Sequence, residues 1–461
     1  MSEASSNRTF ISGLLQTVAE RGRALVGRRR EPIGVEQLLS LAERLLTGRG
    51  EASGVALAQS ILAGYAGLPP ASRRDFLVKA ASRFGPDLAA LEGAARAFSE
   101  KPDESRAADL LRKAEPKRQE LVRRLNHAPG GTLALVRMRE EILAGAEADP
   151  ALGAFDEDFI HLFASWFNRG FLVLRRIDWT TPANILEKII EHEAVHAIDG
   201  FEGLRRRLEP RDRRLYAFFH PALGDEPLIF VEVALTDAIP GAIAPLLAVD
   251  RLELSPQAAT TAVFYSISNA QKGLARVSFG NFLIKQVVED LKRELPRLQT
   301  FVTLSPVPGF ARWLEAERAD ERSPFLAADT RRALALLDRP NWPSKVAAVE
   351  ALGRVLPALA ANYFIHARTK SGRVVDPVAR FHLGNGARLE RINPLGDVSP
   401  TGLAQSFGLM VNYLYDLDQI EENHETFANR GEVVASAAVR RLARAKPTRE
   451  AAPARTQKID S

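Results

Sequence analysis

The periodicity of the apolar residues changes at about residue 168 of this chain, and that change limits the folds open to it. Before this point, apolar residues recur at spacings of three and four, as in the run Leu38, Leu39, Leu41, Leu45 and Leu46. That spacing is typical of amphipathic helices. After this point, short runs rich in β-forming residues alternate with turn signals. We therefore predict an α+β protein, in which an all-helical domain is followed by a domain with a mixed sheet and flanking helices.

Turn-forming residues divide the first part of the chain into segments of helical length. We predict six to eight helices packed as a bundle over residues 1–167. The second domain is predicted to span residues 168–445. Residues 446–461, rich in Ala, Pro, Thr and charge, are predicted to be a disordered tail.

Seven short runs in the second part have the composition of strands. We predict one strong amphipathic helix, from Asn281 to Leu295, with Pro296 helping to end it. Residues 323–366 are predicted to be helical again. The predicted strands are Tyr216–His220, Pro227–Leu235, Ala262–Ile267, Thr300–Leu304, Ala379–Leu383, Ala387–Ile392 and Met410–Tyr415.

Composition excludes several kinds of chemistry. The chain has no cysteine, so disulfides, thiolate catalysis, iron–sulfur clusters and cysteine zinc sites are ruled out. A net charge of +5 over 461 residues favours an anionic ligand without predicting nucleic acid as a partner. No uncharged apolar run reaches the roughly 18 residues that a membrane span needs.

The run from His192 to His196 has the HExxH spacing of zinc peptidases. Two histidines four residues apart share one face of a helix and can bind zinc, with Glu193 activating a water. The alternative is an ordinary amphipathic helix, from Ala183 to about Ile198, that exposes both histidines. The glycine and third histidine of the extended metzincin pattern are absent, because Asp199 and Glu202 stand in their places.

A second candidate site lies where a predicted strand leads through a glycine-containing turn into a helix, over residues 265–281. Unpaired backbone N–H groups at the start of a helix bind phosphate, and glycine allows a close approach. Lys272, Arg276 and Lys285 would add positive charge. Neither a P-loop motif nor G-x-G-x-x-G is present, so an ordinary turn between a strand and a helix stays open.

Two further candidates are single polar side chains. Ser305 ends a predicted strand and is followed by Pro-Val-Pro-Gly, a stiff loop that would fix a catalytic hydroxyl or form a plain turn. His382 is placed at the end of a β-type run beside Asn385-Gly386, and histidine is the usual acid–base side chain near neutral pH. A structural role for His382 stays open.

Together, ordered motifs from Trp166 to Tyr415 resemble the malonyl-CoA decarboxylase family. Residues 193–196, Glu-Ala-Val-His, belong to the resemblance, but the family lacks the histidine that precedes them here. The resemblance therefore implies that His192 completes the HExxH spacing by chance, and it disfavours a zinc site. The most specific motifs are Phe282-Leu283-Ile284-Lys285, Leu304-Ser305-Pro306-x-Pro308-Gly309-Phe310 and Pro377-Val378-Ala379-x-Phe381-His382-Leu383-x-Asn385-Gly386-Ala387.

The resemblance implies a catalytic domain similar to the GCN5-related N-acetyltransferase fold. It implies Ser305 and His382 as catalytic residues, and Tyr413 and Lys188 as supporting ones. Asn385 is a weaker candidate for an orienting donor. The segment that would bind the CoA pyrophosphate through its backbone is Ala275, Arg276, Val277, Ser278, Phe279, Gly280 and Asn281. Some family members carry Glu where this chain has Ser278, so no carboxylate role is implied there.

The activity implied is decarboxylation of malonyl-CoA to acetyl-CoA and CO2 through a thioester enolate that a histidine protonates. No metal or other cofactor is expected, because the thioester is the electron sink. A CoA-dependent acyltransferase and a non-catalytic CoA-binding regulator stay open as alternatives.

We expect no nucleic-acid or membrane partner. We expect a homo-oligomer, either a dimer or a tetramer, that assembles through the helical domain. A cytoplasmic location is expected, with mitochondria or another organelle as the alternative, given the Arg-rich first 30 residues.

Overall fold

A computed structural model describes residues 33–48, 50–277 and 283–443 of the chain. The described residues form two compact units, which divide between Leu162 and Phe163. The Arg-rich start, residues 278–281 of the proposed pyrophosphate segment and the tail from residue 446 lie outside the described residues.

The first unit is all helical, as the apolar spacing predicts. Its helices carry buried stripes, such as Leu38, Leu39, Ala42 and Leu45 on α1. A buried ion pair joins Arg139 Nε to Asp156 Oδ1 at 2.7 Å. The helices are α1 Val35–Thr47, α2 Glu51–Ala66, α3 Pro70–Arg83, α4 Leu88–Glu100, α5 Glu104–Ala114, α6 Lys117–Asn126, α7 Gly131–Leu143 and α8 Pro150–Trp166, the last of which runs past the division between the units.

The second unit is built on an eight-stranded mixed sheet. The strand order is β1-β2-β3-β4-β5-β8-β6, and β7 also pairs with β8. Every pairing is antiparallel except that of β4 with β5. The strands are β1 Val173–Ile177, β2 Arg213–Phe219, β3 Pro227–Thr236, β4 Thr261–Asn269, β5 Thr300–Thr303, β6 Ser305–Pro306, β7 Arg388–Asn393 and β8 Met410–Leu414.

Helices flank this sheet and bury its apolar side chains. Ile185, Leu186 and Ile189 of α9, for example, pack with Leu215 and Phe230 of the sheet. The helices of this unit are α9 Ala183–His192, α10 Gly200–Leu208, α11 Ala244–Leu247, α12 Leu283–Glu294, α13 Phe310–Ala319, α14 Ala328–Leu334, α15 Val346–Ile365, α16 Pro377–Gly384, α17 Pro400–Ser406, α18 Ile420–Arg430 and α19 Ala437–Ala443. The predicted order, helical unit first and mixed sheet with flanking helices second, is confirmed.

Strands β4 and β5, the parallel pair in the middle of the sheet, separate next to Ser305. Partners run from Thr261 with Thr300 to Phe264 with Thr303. One further hydrogen bond, from Leu304 N to Phe264 O, follows at 3.0 Å. Beyond it, the end of β4 and the Ser305 strand take different partners, since Ser305 pairs with Val411 of β8.

One predicted strand is wrong, because Ala379–Leu383 lies inside helix α16. Apolar residues alternate there and gave the period of a strand. The helix begins because the side chain of Asp376 accepts a hydrogen bond from Ala379 N at 2.8 Å and Pro377 occupies the first turn. His382 therefore sits on the last turn of a helix. Two short strands, β1 and β6, were not predicted.

The helix predicted from Ala183 to Ile198 is also too long. Helix α9 ends at His192, because the carboxylate of Glu193 accepts hydrogen bonds from Val195 N and His196 N, both at 2.8 Å. His192 and His196 therefore do not share a helix face, and the geometric premise of the zinc reading is wrong. In the described ranges no helix is long and apolar enough to cross a membrane.

Candidate active site

Ser305 and His382 meet in the interior of the second unit. Strand β6 supplies the serine, and the last turn of α16 supplies the histidine. Ser305 Oγ lies 3.2 Å from His382 Nε2. Both side chains are buried, with 5% and 3% of their residue surface exposed. The two residues that the sequence placed separately thus form one hydrogen-bonded pair.

Two residues that the sequence analysis did not select extend this pair at both ends. Ser305 Oγ donates to Thr303 Oγ1 at 2.8 Å. On the other side of the ring, His382 Nδ1 lies 2.8 Å from the hydroxyl of Tyr415. Tyr415 is held in place by its backbone N–H, which donates to Phe301 O at 2.8 Å. The result is a continuous chain of four side chains, Tyr415–His382–Ser305–Thr303.

Burial fixes the protonation of this chain. Removal from water lowers the pKa of His382 to about 3, so its imidazole is neutral near pH 7. Because the single proton of Ser305 goes to Thr303, the contact with Ser305 requires the proton of the neutral ring on Nε2. Nδ1 then accepts from Tyr415, whose hydroxyl stays protonated because burial raises its pKa well above 10. His382 therefore presents an N–H donor toward Ser305.

Tyr413 supports the same imidazole through its ring. The two rings stack with their centroids 4.6 Å apart and their planes inclined by 24°. The Tyr413 hydroxyl is buried and makes no hydrogen bond within the described part of the chain. A buried hydroxyl without a partner costs about 1–3 kcal/mol, so this O–H is available to pair with a polar atom brought to it.

Asp376 anchors the helix that carries His382. Its carboxylate caps α16 through Ala379 N and also accepts a hydrogen bond from Tyr363 OH at 3.3 Å. Burial raises the pKa of Asp376. Tyr363 belongs to the long helix α15, so the cap ties α16 to its neighbour.

The other predicted supporting residues have structural partners. Lys188 Nζ forms an ion pair with Glu226 Oε1 at 3.2 Å and lies 3.3 Å from Asp225 O. Asn385 follows α16, and its Nδ2 donates to Phe381 O at 2.8 Å. Lys188 lies on α9, and Asn385 is the residue that follows α16.

The described part of the proposed pyrophosphate segment is a tight turn after β4. A short 3-10 helix, Lys272–Leu274, is followed by Arg276 in the left-handed region with φ of 67°. Val277 N donates to Leu274 O at 3.1 Å. Ser278, Phe279, Gly280 and Asn281 lie beyond the described residues.

Glu193 of the HExxH segment is a buried structural acceptor. Besides the two backbone bonds, it accepts a hydrogen bond from Ser266 Oγ at 2.8 Å and one from Ser268 Oγ at 3.2 Å. No cluster of three or more His, Cys, Asp or Glu side chains with metal-binding geometry occurs among the described residues.

The fold and this site define an α+β enzyme whose buried imidazole is held between hydroxyl groups. The malonyl-CoA decarboxylase C-terminal domain model matches residues 170–453, and the N-terminal domain model of the same family matches residues 84–167. The chain belongs to the malonyl-CoA decarboxylase family.

Individual relatives agree over most of the chain. The mitochondrial malonyl-CoA decarboxylase of the goose Anser anser anser is 35% identical over 405 residues, which cover 81% of this chain and 80% of that protein. The mouse protein is 32% identical over 407 residues, covering 81% and 82%. The crystal structure of malonyl-CoA decarboxylase from Rhodopseudomonas palustris is 60% identical with a TM-score of 0.86, covering 89% of this chain and all of that one. The Agrobacterium vitis structure is 58% identical, with a TM-score of 0.82 and coverages of 88% and 99%.

Proposed function

We propose that this chain decarboxylates malonyl-CoA to acetyl-CoA and CO2, and that the chain Tyr415–His382–Ser305–Thr303 is its catalytic centre. Family membership supports the reaction. The observation that carries the site is the buried contact of 3.2 Å between Ser305 Oγ and His382 Nε2. A hydroxyl and an imidazole at this distance supply the hydrogen-bond donor and the proton donor that decarboxylation of a thioester requires.

In the proposed mechanism the bond between the carboxylate carbon and C2 of the malonyl group breaks. Its electron pair passes into the thioester as an enolate, and CO2 leaves. The reaction consumes one proton per turnover, because C2 becomes a methyl group. A bound malonyl carboxylate beside His382 favours the protonated imidazole. His382 Nε2 then transfers its proton to C2, and water replaces that proton afterwards.

Hydroxyl groups stabilise the charge that develops in this step. Ser305 would donate either to the departing carboxylate or to the thioester oxygen. Tyr413 is a second donor, supported by its buried hydroxyl without a described partner. Tyr415 keeps a hydrogen bond with Nδ1 through the protonation change, because a hydroxyl both donates and accepts.

Substrate binding is proposed at the turn after β4. Backbone N–H groups over residues 275–281 would bind the CoA pyrophosphate. Lys188 would hold the malonyl carboxylate through the third N–H of its ammonium group, while the other two contact Glu226 and Asp225 O. Asn385 supports the site through the end of α16. No cofactor is required, since the thioester accepts the electron pair.

Release of labelled CO2 from malonyl-CoA carrying the label in its free carboxylate tests this proposal. We expect stoichiometric CO2 and acetyl-CoA without an added amine. An acyltransferase would transfer the malonyl group to an amine and retain the label, and a CoA-binding regulator would release none. Either result would contradict the proposal.

We further propose that the helical unit mediates self-association into a dimer or tetramer. Helix α5 has no buried residue within the described chain, and Leu111 on it is 72% exposed. Burial of this side chain between subunits would remove apolar surface from water, which favours association.

A cytoplasmic location is also a proposal. The chain has no cysteine and so no disulfide that calls for an oxidising compartment, which fits the cytoplasm and the mitochondrial matrix alike; the goose and mouse relatives are named mitochondrial. Fractionation of the source cells distinguishes the two.

A further inference from the structure

An arginine-lined cavity lies in the second unit, apart from the residues assigned to decarboxylation. Helix α10, the start of β2 and the segment after α11 enclose about 210 Å³. Four arginines line it, against two carboxylates, those of Asp199 and Glu253. We call this space the arginine cavity and define it by Arg206, Arg207, Arg213 and Arg251.

The positive charge in the arginine cavity is only partly neutralised. Arg251 binds both carboxylate oxygens of Asp212, at 2.6 and 2.8 Å. Arg213 shares the same carboxylate at 3.5 Å and otherwise donates to the backbone oxygens of Asp212 and Leu246. Two guanidinium groups thus face one anion. Burial, together with the nearby Arg251, lowers the pKa of Arg213.

The guanidinium group of Arg207 is also incompletely paired. Its Nη1 is 3.4 Å from Glu232 Oε2, but this buried atom makes no aligned hydrogen bond to any described residue. Burial raises the pKa of Glu232 to about 8, and the nearby Arg207 opposes that rise. Burial disfavours the charged form of Arg207, but the neighbouring Glu232 outweighs it and raises the pKa of Arg207; the other terminal nitrogen, Nη2, donates to His196 O at 3.3 Å. Buried guanidinium groups without a full complement of acceptors are costly, and an oxyanion supplies those acceptors.

Arg206 adds an exposed guanidinium to the same lining. It has no hydrogen bond or ion pair within the described ranges. Leu246 and Leu247 form an apolar part of the wall. A ligand here would contact guanidinium groups on one side and apolar side chains on the other. Because the apolar side excludes water, it strengthens charge-assisted hydrogen bonds to the guanidinium groups.

We propose that the arginine cavity binds a small oxyanion, a phosphate or carboxylate group, through Arg206, Arg207 and Arg213. The planar guanidinium fork matches both kinds of oxyanion in geometry and charge. None of these three residues belongs to the proposed catalytic chain or to the turn after β4. The site is therefore a second ligand site, separate from that of the acyl-CoA.

Calorimetric titration of the full-length protein with inorganic phosphate, at constant ionic strength set with chloride, tests this site. We expect saturable binding that weakens about fivefold or more in Arg206→Gln, because one charge-assisted contact is lost. Arg205→Gln is the matched control. Arg205 is an exposed arginine of the same helix that pairs with Glu202 at 3.3 Å and does not line the cavity. Its binding of phosphate should equal that of the wild type.

Two further titrations complete the test. Saturating acetyl-CoA should leave the phosphate affinity unchanged, and succinate in place of phosphate shows whether carboxylates use the same site. Binding of either oxyanion that Arg206→Gln weakens supports the inference. Absence of saturable binding by both, equal binding in Arg206→Gln, or displacement by acetyl-CoA would overturn it. Decarboxylation in phosphate-free buffer should be the same in Arg206→Gln and wild type, so failure of this inference leaves the proposed activity standing.

Discussion

At the scale of single residues, the proposed catalysis depends on which atoms hold the His382 ring. The resemblance of short motifs was enough to select Ser305 and His382, because each stands in a distinctive run of residues. It did not select Thr303 or Tyr415. The available signal was their spacing of two from Ser305 and Tyr413, which puts side chains on one face of a strand. The sequence cannot show that Tyr413 stacks on the ring while Tyr415 bonds to Nδ1, because that depends on where α16 docks.

Replacement of Tyr415 by phenylalanine should reduce kcat for decarboxylation about tenfold or more while changing KM little. The ring and its packing are kept, but Nδ1 loses its hydrogen-bond partner in both protonation states. Steady-state kinetics measure this. Tyr216→Phe is the matched control, since Tyr216 is also fully buried, lies on β2, and has a hydroxyl without a described partner. Equal losses in the two variants would show that the effect is one of packing.

The buried neutral imidazole should make the protein sensitive to acid. The pKa of His382 is about 3 in the folded chain against an ordinary value of 6.5, so between these values the unfolded state binds more protons. This contribution to stability is fully present above pH 6.5 and is lost as the pH falls toward 3. In total it is on the order of 5 kcal/mol.

Urea unfolding at several pH values measures this contribution as the difference between wild type and His382→Gln. The free energy of unfolding should fall less steeply with pH in the variant. His196 and His220, whose pKa values are also lowered by burial, are present in both proteins and cancel in the comparison. Parallel pH curves would mean that His382 is not held neutral by burial.

At the scale of elements, the periodicity of the sequence predicts a strand where the structure has α16, the helix that carries His382. Alternation of Ala379, Phe381 and Leu383 imitates a strand, while Asp376 and Pro377 carry the signal for a helix start. The longer strands β3 and β4 were predicted almost to the residue, because both faces of the central sheet are buried and their apolar runs are long. The two-residue strand β6 has too little pattern to be predicted, although it holds the serine.

Removal of the cap on α16 should lower both stability and turnover. Asp376→Ala deletes the acceptor for Ala379 N and Tyr363 OH and should cost about 1–2 kcal/mol of unfolding free energy. It should also reduce kcat, because His382 lies on the same short helix. Asp376→Asn keeps an acceptor for the cap and should restore most of the kcat.

Asp87→Ala is the comparison for that experiment. Asp87 caps α4 of the helical unit by accepting from Ala90 N at 3.1 Å. Its loss should reduce stability without changing kcat of the folded enzyme. If Asp376→Ala and Asp87→Ala behave alike in kinetics, the cap on α16 has no positioning role.

At the scale of the whole molecule, the change of periodicity near residue 168 was sufficient to predict a helical unit followed by a mixed sheet. The packing that brings α16 onto the sheet beside β5, β6 and β8 could not be predicted. It depends on contacts between residues far apart in sequence, such as Ser305 and His382, whose numbers differ by 77. A chain without cysteine must make any assembly from noncovalent contacts alone.

Leu111→Glu should therefore shift the full-length protein toward a smaller species in light scattering, because it puts a charge on the exposed apolar part of α5. Arg112→Glu on the same helix, where Arg112 forms a surface ion pair with Asp109, is the control and should keep the wild-type mass. A wild-type protein that is already monomeric at micromolar concentration would contradict the proposed self-association.

The proposal on which the others depend is that His382 and Ser305 together carry out decarboxylation. Its most direct test is labelled CO2 release from malonyl-CoA by wild type, His382→Gln, Ser305→Ala and the double variant. We predict that each single change lowers kcat by about 10²-fold or more, and that the double change costs little beyond the larger single loss, because the two residues act as one unit. Turnover near the wild-type rate in both single variants, with the proteins folded, would contradict the account.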